Sequence, residues 1–341
     1  MSEKQSTQNA VPTRERKTAK SESAQGRRLH GRKGKGGTSF WHRLWSQREL
    51  MLMLLPGLVY YIVFHYFPMY GLKLAFIDYM PMFGYDSPWV GLDHFERLFI
   101  TNQEKFLDLL KNTIFLGVIT FGTTFPLTIL FSLILNEIRQ AKFKKFYQTV
   151  SYLPTFLSSV IICSIFVELF SMKYGLVNEI LVFFGQKKIN FMLYTEGYYL
   201  VYVLSGIWAS LGNGAIIYLS ALAGVDQEMY EAAQIDGCSR LKRIWHITLP
   251  SIMPTVVTMF LLNIGSLVKV GADKALLLQT DAVKVDANIF STFVYYNGIN
   301  TSGLPQVSYT AAVGMFESVM CGVLLITFNY IAKKRSGTSI W

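Results

Sequence analysis

Long apolar runs alternate with short polar or charged stretches along most of the chain. Six runs stand out, over residues 50–70, 113–135, 150–170, 199–222, 251–270 and 307–331. Each matches the roughly 20 helical residues needed to cross about 30 Å of hydrocarbon. The first and fifth have the softest edges, while residues 129–135 are uninterrupted in character. Pro126, Pro154, Gly212 and Gly214 fall inside runs. Membrane helices accept such residues because neighbouring helices and hydroxyl side chains satisfy the freed backbone groups. The predicted fold is therefore all-α and integral to a membrane, with six transmembrane helices.

Charge sets the expected orientation, because Lys and Arg concentrate in cytoplasmic loops. With the N-terminus inside, residues 1–49, 136–149, 223–250 and 332–341 hold 12, 4, 3 and 3 Lys or Arg. The segments near 71–112, 171–198 and 271–306, with Lys269 at the edge, hold 4, 3 and 3. Of the chain's 32 basic residues, 22 thus lie inside and 10 outside, which predicts N-in and C-in.

Composition narrows the function. The chain is 51% hydrophobic and 16% charged, against about 25% charged in soluble domains. Its net charge of +10 suits a nucleic-acid binder in principle, but the cations flank apolar runs instead of lining one face. Cys163, Cys238 and Cys321 show neither metal nor redox spacing and read as small packing residues. Residues 1–48 are rich in Ser, Gly, Lys and Arg, and read as a disordered basic cytoplasmic extension without the apolar core of a signal peptide. Within it, residues 31–38 have the glycines of a phosphate loop but lack its Lys and its flanking strand and helix. The membrane-spanning body is expected over residues 49–341.

The inside loop at 223–250 carries most of the identity. It predicts a short helix capped by Asp226, a stop at Gly237, and a second helix capped by Ser239, with Pro250 and Pro254 opening the fifth span. Glu231, Ala232, Ala233, Asp236, Gly237, Ile247, Leu249 and Pro250 stand at the spacing Glu-Ala-Ala, two residues, Asp-Gly, nine residues, Ile-x-Leu-Pro. This pattern closely resembles the signature of permease subunits in binding-protein-dependent ABC importers, with Cys238 where a smaller residue is usual. Weaker similarities, at residues 89–95, 273–279, 290–295 and 336–341, resemble the carbohydrate branch, including the membrane subunits of maltose-type transporters.

The resemblance implies a coupling helix that seats in a groove of a cytoplasmic ATPase. It implies a multi-pass subunit of the bacterial cytoplasmic membrane and a carbohydrate substrate, an oligosaccharide or polysaccharide fragment. It further implies a second permease subunit, two ATPase subunits and an extracytoplasmic solute-binding protein. ATP and Mg would then sit on the ATPases, with no cofactor on this chain and no catalysis by it.

Polar residues inside spans are functional candidates, since burying them in lipid is costly. Glu317 is the deepest charge, and Asn213 and Asn263 lie near the middle of the fourth and fifth runs. All three are candidates for the pathway or a subunit interface. For the asparagines, hydrogen bonding between helices is the plainer alternative. No nucleophile–base pair or metal cluster is apparent. An ABC permease for a non-sugar solute and a stand-alone secondary transporter are the competing readings, although the chain lacks the internal repeat common in the latter.

Overall fold

The computed structural model describes residues 48–340, residue 302 excepted. The extension expected over residues 1–48 lies outside the described residues but for Arg48, which opens a helix. The described residues form helices and loops, with two isolated bridges, Ile77 to Trp89 and Met80 to Gly84, and no strand. Apolar runs in lipid have no other way to satisfy every backbone amide within one segment.

The chain divides into two units at Met69 and Tyr70. The first contains α1 (Arg48–Tyr61), which continues as a π-helical turn, Ile62–Tyr66. Tyr61 stacks on His65 at 4.5 Å between centroids. Leu52, Met53 and Phe64 are exposed, an apolar surface suited to lipid or to another protein. A 3-10 stretch, Phe67–Phe76, crosses the division.

The second unit begins with a loop and the short α2 (Asp93–Glu96). There follow α3 (Gln103–Glu137), α4 (Ala141–Tyr152), α5 (Ser159–Leu169), α6 (Leu176–Phe183) and α7 (Thr195–Ala223). Next come α8 (Gln227–Ile235) and α9 (Arg240–Arg243), the latter passing through a π-turn, Ile244–Thr248, into α10 (Leu249–Ile264). Two short helices, α11 (Ala272–Leu278) and α12 (Phe290–Gly298), precede α13 (Val307–Ser336).

Five helical stretches are long and apolar enough to cross a bilayer: Arg48–Phe76, α3, α7, Arg240–Ile264 and α13. The run at 150–170, expected as one transmembrane helix, is broken. Ala141–Phe156 and α5 meet at 104° and make a sixth span only if taken together. Pro154 cannot donate a backbone bond, Leu157 is extended, and the Ser158 hydroxyl accepts from the Ile161 amide at 3.3 Å, restarting the helix as an N-cap. The fifth run also differs from expectation. Its helix ends at Ile264, before Gly265, and residues 265–270 continue without helix. Pro250 occupies the first turn of α10 as expected, whereas Pro254 lies inside it. Ser239 holds the N-cap position of α9, but its side chain makes no cap bond.

Small residues bring the helices close. A side chain on Gly212 of α7 would collide with the Ser151 backbone of α4, and one on Gly214 would press on Thr128 of α3. A side chain on Gly117 would strike the Leu267 carbonyl just beyond α10. Such contacts are how membrane helices gain packing without a hydrophobic drive between them. Leu116, Cys163, Phe170, Tyr198 and Val201 form one core with residues of the segment 270–289. Leu98, Phe106, Val268, Phe290 and Val313 form another.

Candidate functional site

Three helices and the segment after α10 enclose a cavity of about 430 Å³. Helix α3 contributes Gly117, Thr120, Phe121, Thr124, Phe125 and Thr128, which recur at intervals of three or four and so share one face. Helix α7 contributes Tyr202, Gly206, Ser210, Gly214 and Tyr218, one every four residues. Met259 and Asn263 come from α10, and Ser266, Lys269 and Gly271 from the segment beyond it. Asn263, Ser266, Lys269 and Gly271 are exposed, so the cavity opens at the surface of the chain.

One wall is aromatic. Phe121 and Phe125 lie 5.0 Å apart between centroids, Phe260 packs behind them at 5.5 and 5.8 Å, and Tyr218 is edge-on to Phe125 at 6.4 Å. Hydroxyls sit between the rings. Thr128 spends its proton on the Thr124 carbonyl at 2.7 Å. Thr120 and Thr124 have buried hydroxyl oxygens with no hydrogen-bond partner among the described residues. Lys269 is the one charged side chain among the lining residues.

A second cation stands behind the wall. Lys274 donates to the Tyr202 carbonyl and lies 4.1 Å from that ring's centroid. A side chain at Gly206 would come within 2.8 Å of its ammonium. Burial pushes the Lys274 ammonium down to about 8.

The sequence candidates separate. Asn263 reaches the cavity, where its amide donates back to the Met259 carbonyl at 2.7 Å. Glu317 is buried on α13 and does not line it. Asn213 is exposed on α7 and also lies outside the lining. The sequence reading missed Thr120, Phe121, Thr124 and Phe125, although their (i, i+4) spacing on one face was visible. Lys269 was passed over as a residue at a span edge.

The segment 226–250 forms a helical hairpin joining α7 to α10. Asp226 caps α8 by accepting from the Glu228 amide at 3.0 Å. At the other end Gly237 has φ +73°, the Cys238 amide bonds the Ala233 carbonyl at 2.9 Å, and the Gly237 amide bonds the Gln234 carbonyl at 3.1 Å. This pair of bonds is a Schellman stop, which favours Gly at its left-handed position. The two arms are tied by Tyr230 and Thr248, whose hydroxyls are 2.9 Å apart, and by Arg243 donating to Gln234 at 3.3 Å.

Glu231, Ala232, Asp236, Gly237 and Pro250 are exposed, while Ala233, Ile247 and Leu249 are half-buried. Ile235, Leu241 and Trp245 are 86%, 72% and 67% exposed, an apolar patch on a polar hairpin. The hairpin joins two cavity walls: α7 ends at Ala223, less than two turns beyond Tyr218, and α9 runs through the π-turn into α10, which carries Met259 and Asn263.

Residues 112–332 match the family described as binding-protein-dependent transport system inner membrane component. The chain is 44% identical to the polygalacturonan/rhamnogalacturonan transport system permease protein YteP of Bacillus subtilis (strain 168), over 88% of this chain and 92% of that one. A crystal structure of a bacterial ABC transporter involved in importing the acidic polysaccharide alginate contains a chain that superposes with a TM-score of 0.77. It is 32% identical, covering 86% of this chain and 98% of its own. A bacterial alginate ABC transporter in complex with an alginate pentasaccharide-bound periplasmic protein gives a TM-score of 0.79 at 31% identity, over 88% and 99% of the two chains. With a family match across most of its length and a close relative spanning nearly all of it, the chain belongs to the inner membrane components of binding-protein-dependent transport systems.

Proposed function

We propose that this chain is the permease subunit of an ABC importer and lines half of the path of an oligosaccharide. The observation that carries the reading is that the hairpin 226–250 links two walls of the cavity, through a three-residue turn after α7 and a continuous helical path into α10. A partner that pushes on the hairpin moves α7 and α10 as levers, and the cavity changes shape with them. Glu231, Ala232, Ala233, Asp236, Gly237, Ile247, Leu249 and Pro250 form the seat of a cytoplasmic ATPase, with the patch of Ile235, Leu241 and Trp245 as its apolar contact.

The chain spans the bacterial cytoplasmic membrane six times, N-in and C-in, with α4 and α5 as one bent span. Its partners are a second permease subunit, two ATPases that hold ATP and Mg, and an extracytoplasmic solute-binding protein. The polygalacturonan and alginate importers among its relatives support a complex saccharide as substrate. Asn263 contacts the substrate in the cavity, whereas Asn213 and Glu317 belong to subunit or helix interfaces.

Purification of the tagged chain from its native membrane, with mass identification of what accompanies it, tests this. A second permease and an ATPase in stoichiometric amount are expected. Purification as a lone chain that still carries out solute uptake in vesicles without ATP would overturn the reading.

A further inference from the structure

The cavity holds an exposed cation with no carboxylate at ion-pair distance among the described residues. Lys269 is its one charged wall residue and makes no ion pair with any described residue. Glu317 is near enough to feel its field but does not pair with it. No Asp or Glu lines the cavity. An exposed ammonium at the opening keeps its water until a ligand arrives, so it carries little desolvation cost in the empty state. It can then form a charge-assisted hydrogen bond, about twice as strong as a neutral one.

The surroundings say what kind of anion fits. Phe121 and Phe125 line the cavity beside the exposed amide of Asn263, an apolar surface next to a hydrogen-bonding group. A small inorganic anion needs neither. We propose that the cavity contains a subsite for an acidic saccharide, in which Lys269 binds the carboxylate of a uronate residue. Phe121 and Phe125 hold the sugar ring, and the exposed amide of Asn263 meets its hydroxyls. The inference rests on the cavity being the saccharide path and adds the charge class of the substrate and the residue that reads it.

The test uses the assembled importer in lipid nanodiscs, without its solute-binding protein, so that only the membrane site is measured. Two probes are titrated: trigalacturonate and its fully methyl-esterified form, which has the same rings and no charge. Wild type is expected to prefer the acid by about 10- to 100-fold, the range of a charged hydrogen bond. Lys269→Gln should abolish that preference and leave the ester's affinity unchanged, while Lys269→Arg should retain it. Inorganic phosphate should not compete.

Equal weakening of both probes by Lys269→Gln, persistence of the acid preference in that variant, or competition by phosphate would overturn the assignment. If wild-type importer binds neither probe, the saccharide path itself is wrong, and the subsite falls with it. Subunit assembly of both variants, followed by size-exclusion chromatography, separates loss of the subsite from loss of the fold.

Discussion

At the scale of the residue, Gly237 shows how one backbone angle can be read in advance. A Gly after Asp236 at the end of a short apolar-flanked helix is the usual mark of a left-handed stop, and its φ is +73°. Nothing lies within 4 Å of where a side chain would go, so a substitution costs conformation only, about 1–2 kcal/mol. Gly237→Ala is therefore expected to raise hydrogen exchange at the Gly237 and Cys238 amides, and Gly237→Asn to raise it less. Equal protection in all three chains would show that the angle is not needed.

Glu317 is the second case. Its burial was legible from its place in an apolar run, but its distance from the cavity lining was not, because depth along a helix says nothing about direction around it. Replacing Glu317 with Ala is expected to impair assembly or uptake. Replacing Glu179, which forms a half-exposed pair with Lys188 at 2.6 Å, should change stability by less than about 1 kcal/mol. Indistinguishable thermal stability and uptake in the two variants would contradict that ranking.

At the scale of the element, apolar length located the spans and local chemistry set their ends. The break in the third run was written in Pro154 and the serines at 158 and 159. Hydropathy hid it, because a window of apolar residues has the same average whether the chain runs straight or turns by 104°. Gly265 likewise ends α10 within the run predicted to reach Val270. The stripes on α3 and α7 were visible as spacing, but which stripes face each other depends on helix crossings that no single segment encodes.

Those crossings make a prediction. Gly212→Ala should drive α7 away from α4, since its Cβ would enter the Ser151 backbone, whereas the Cβ of Gly122→Ala meets nothing within 4 Å. Overpacking of this kind costs at least about 1–3 kcal/mol. In detergent the Gly212 variant should melt several degrees below wild type and the Gly122 variant close to it. Equal melting temperatures would mean that the close approach does not bear on stability.

At the scale of the whole molecule, the proposed function requires that a push on the hairpin 226–250 change the shape of the cavity. The purified subunit is expected to hydrolyse no ATP. Hydrolysis that survives further purification would refute that. The central claim is that force enters at residues 226–250, and it is tested most directly by solute-stimulated ATP hydrolysis in the reconstituted importer carrying Gly237→Asp or Ala233→Trp. Loss of stimulation and of ATPase binding, with membrane insertion and pairing to the second permease intact, is the predicted result. Wild-type ATPase binding together with wild-type stimulation in both variants would contradict it.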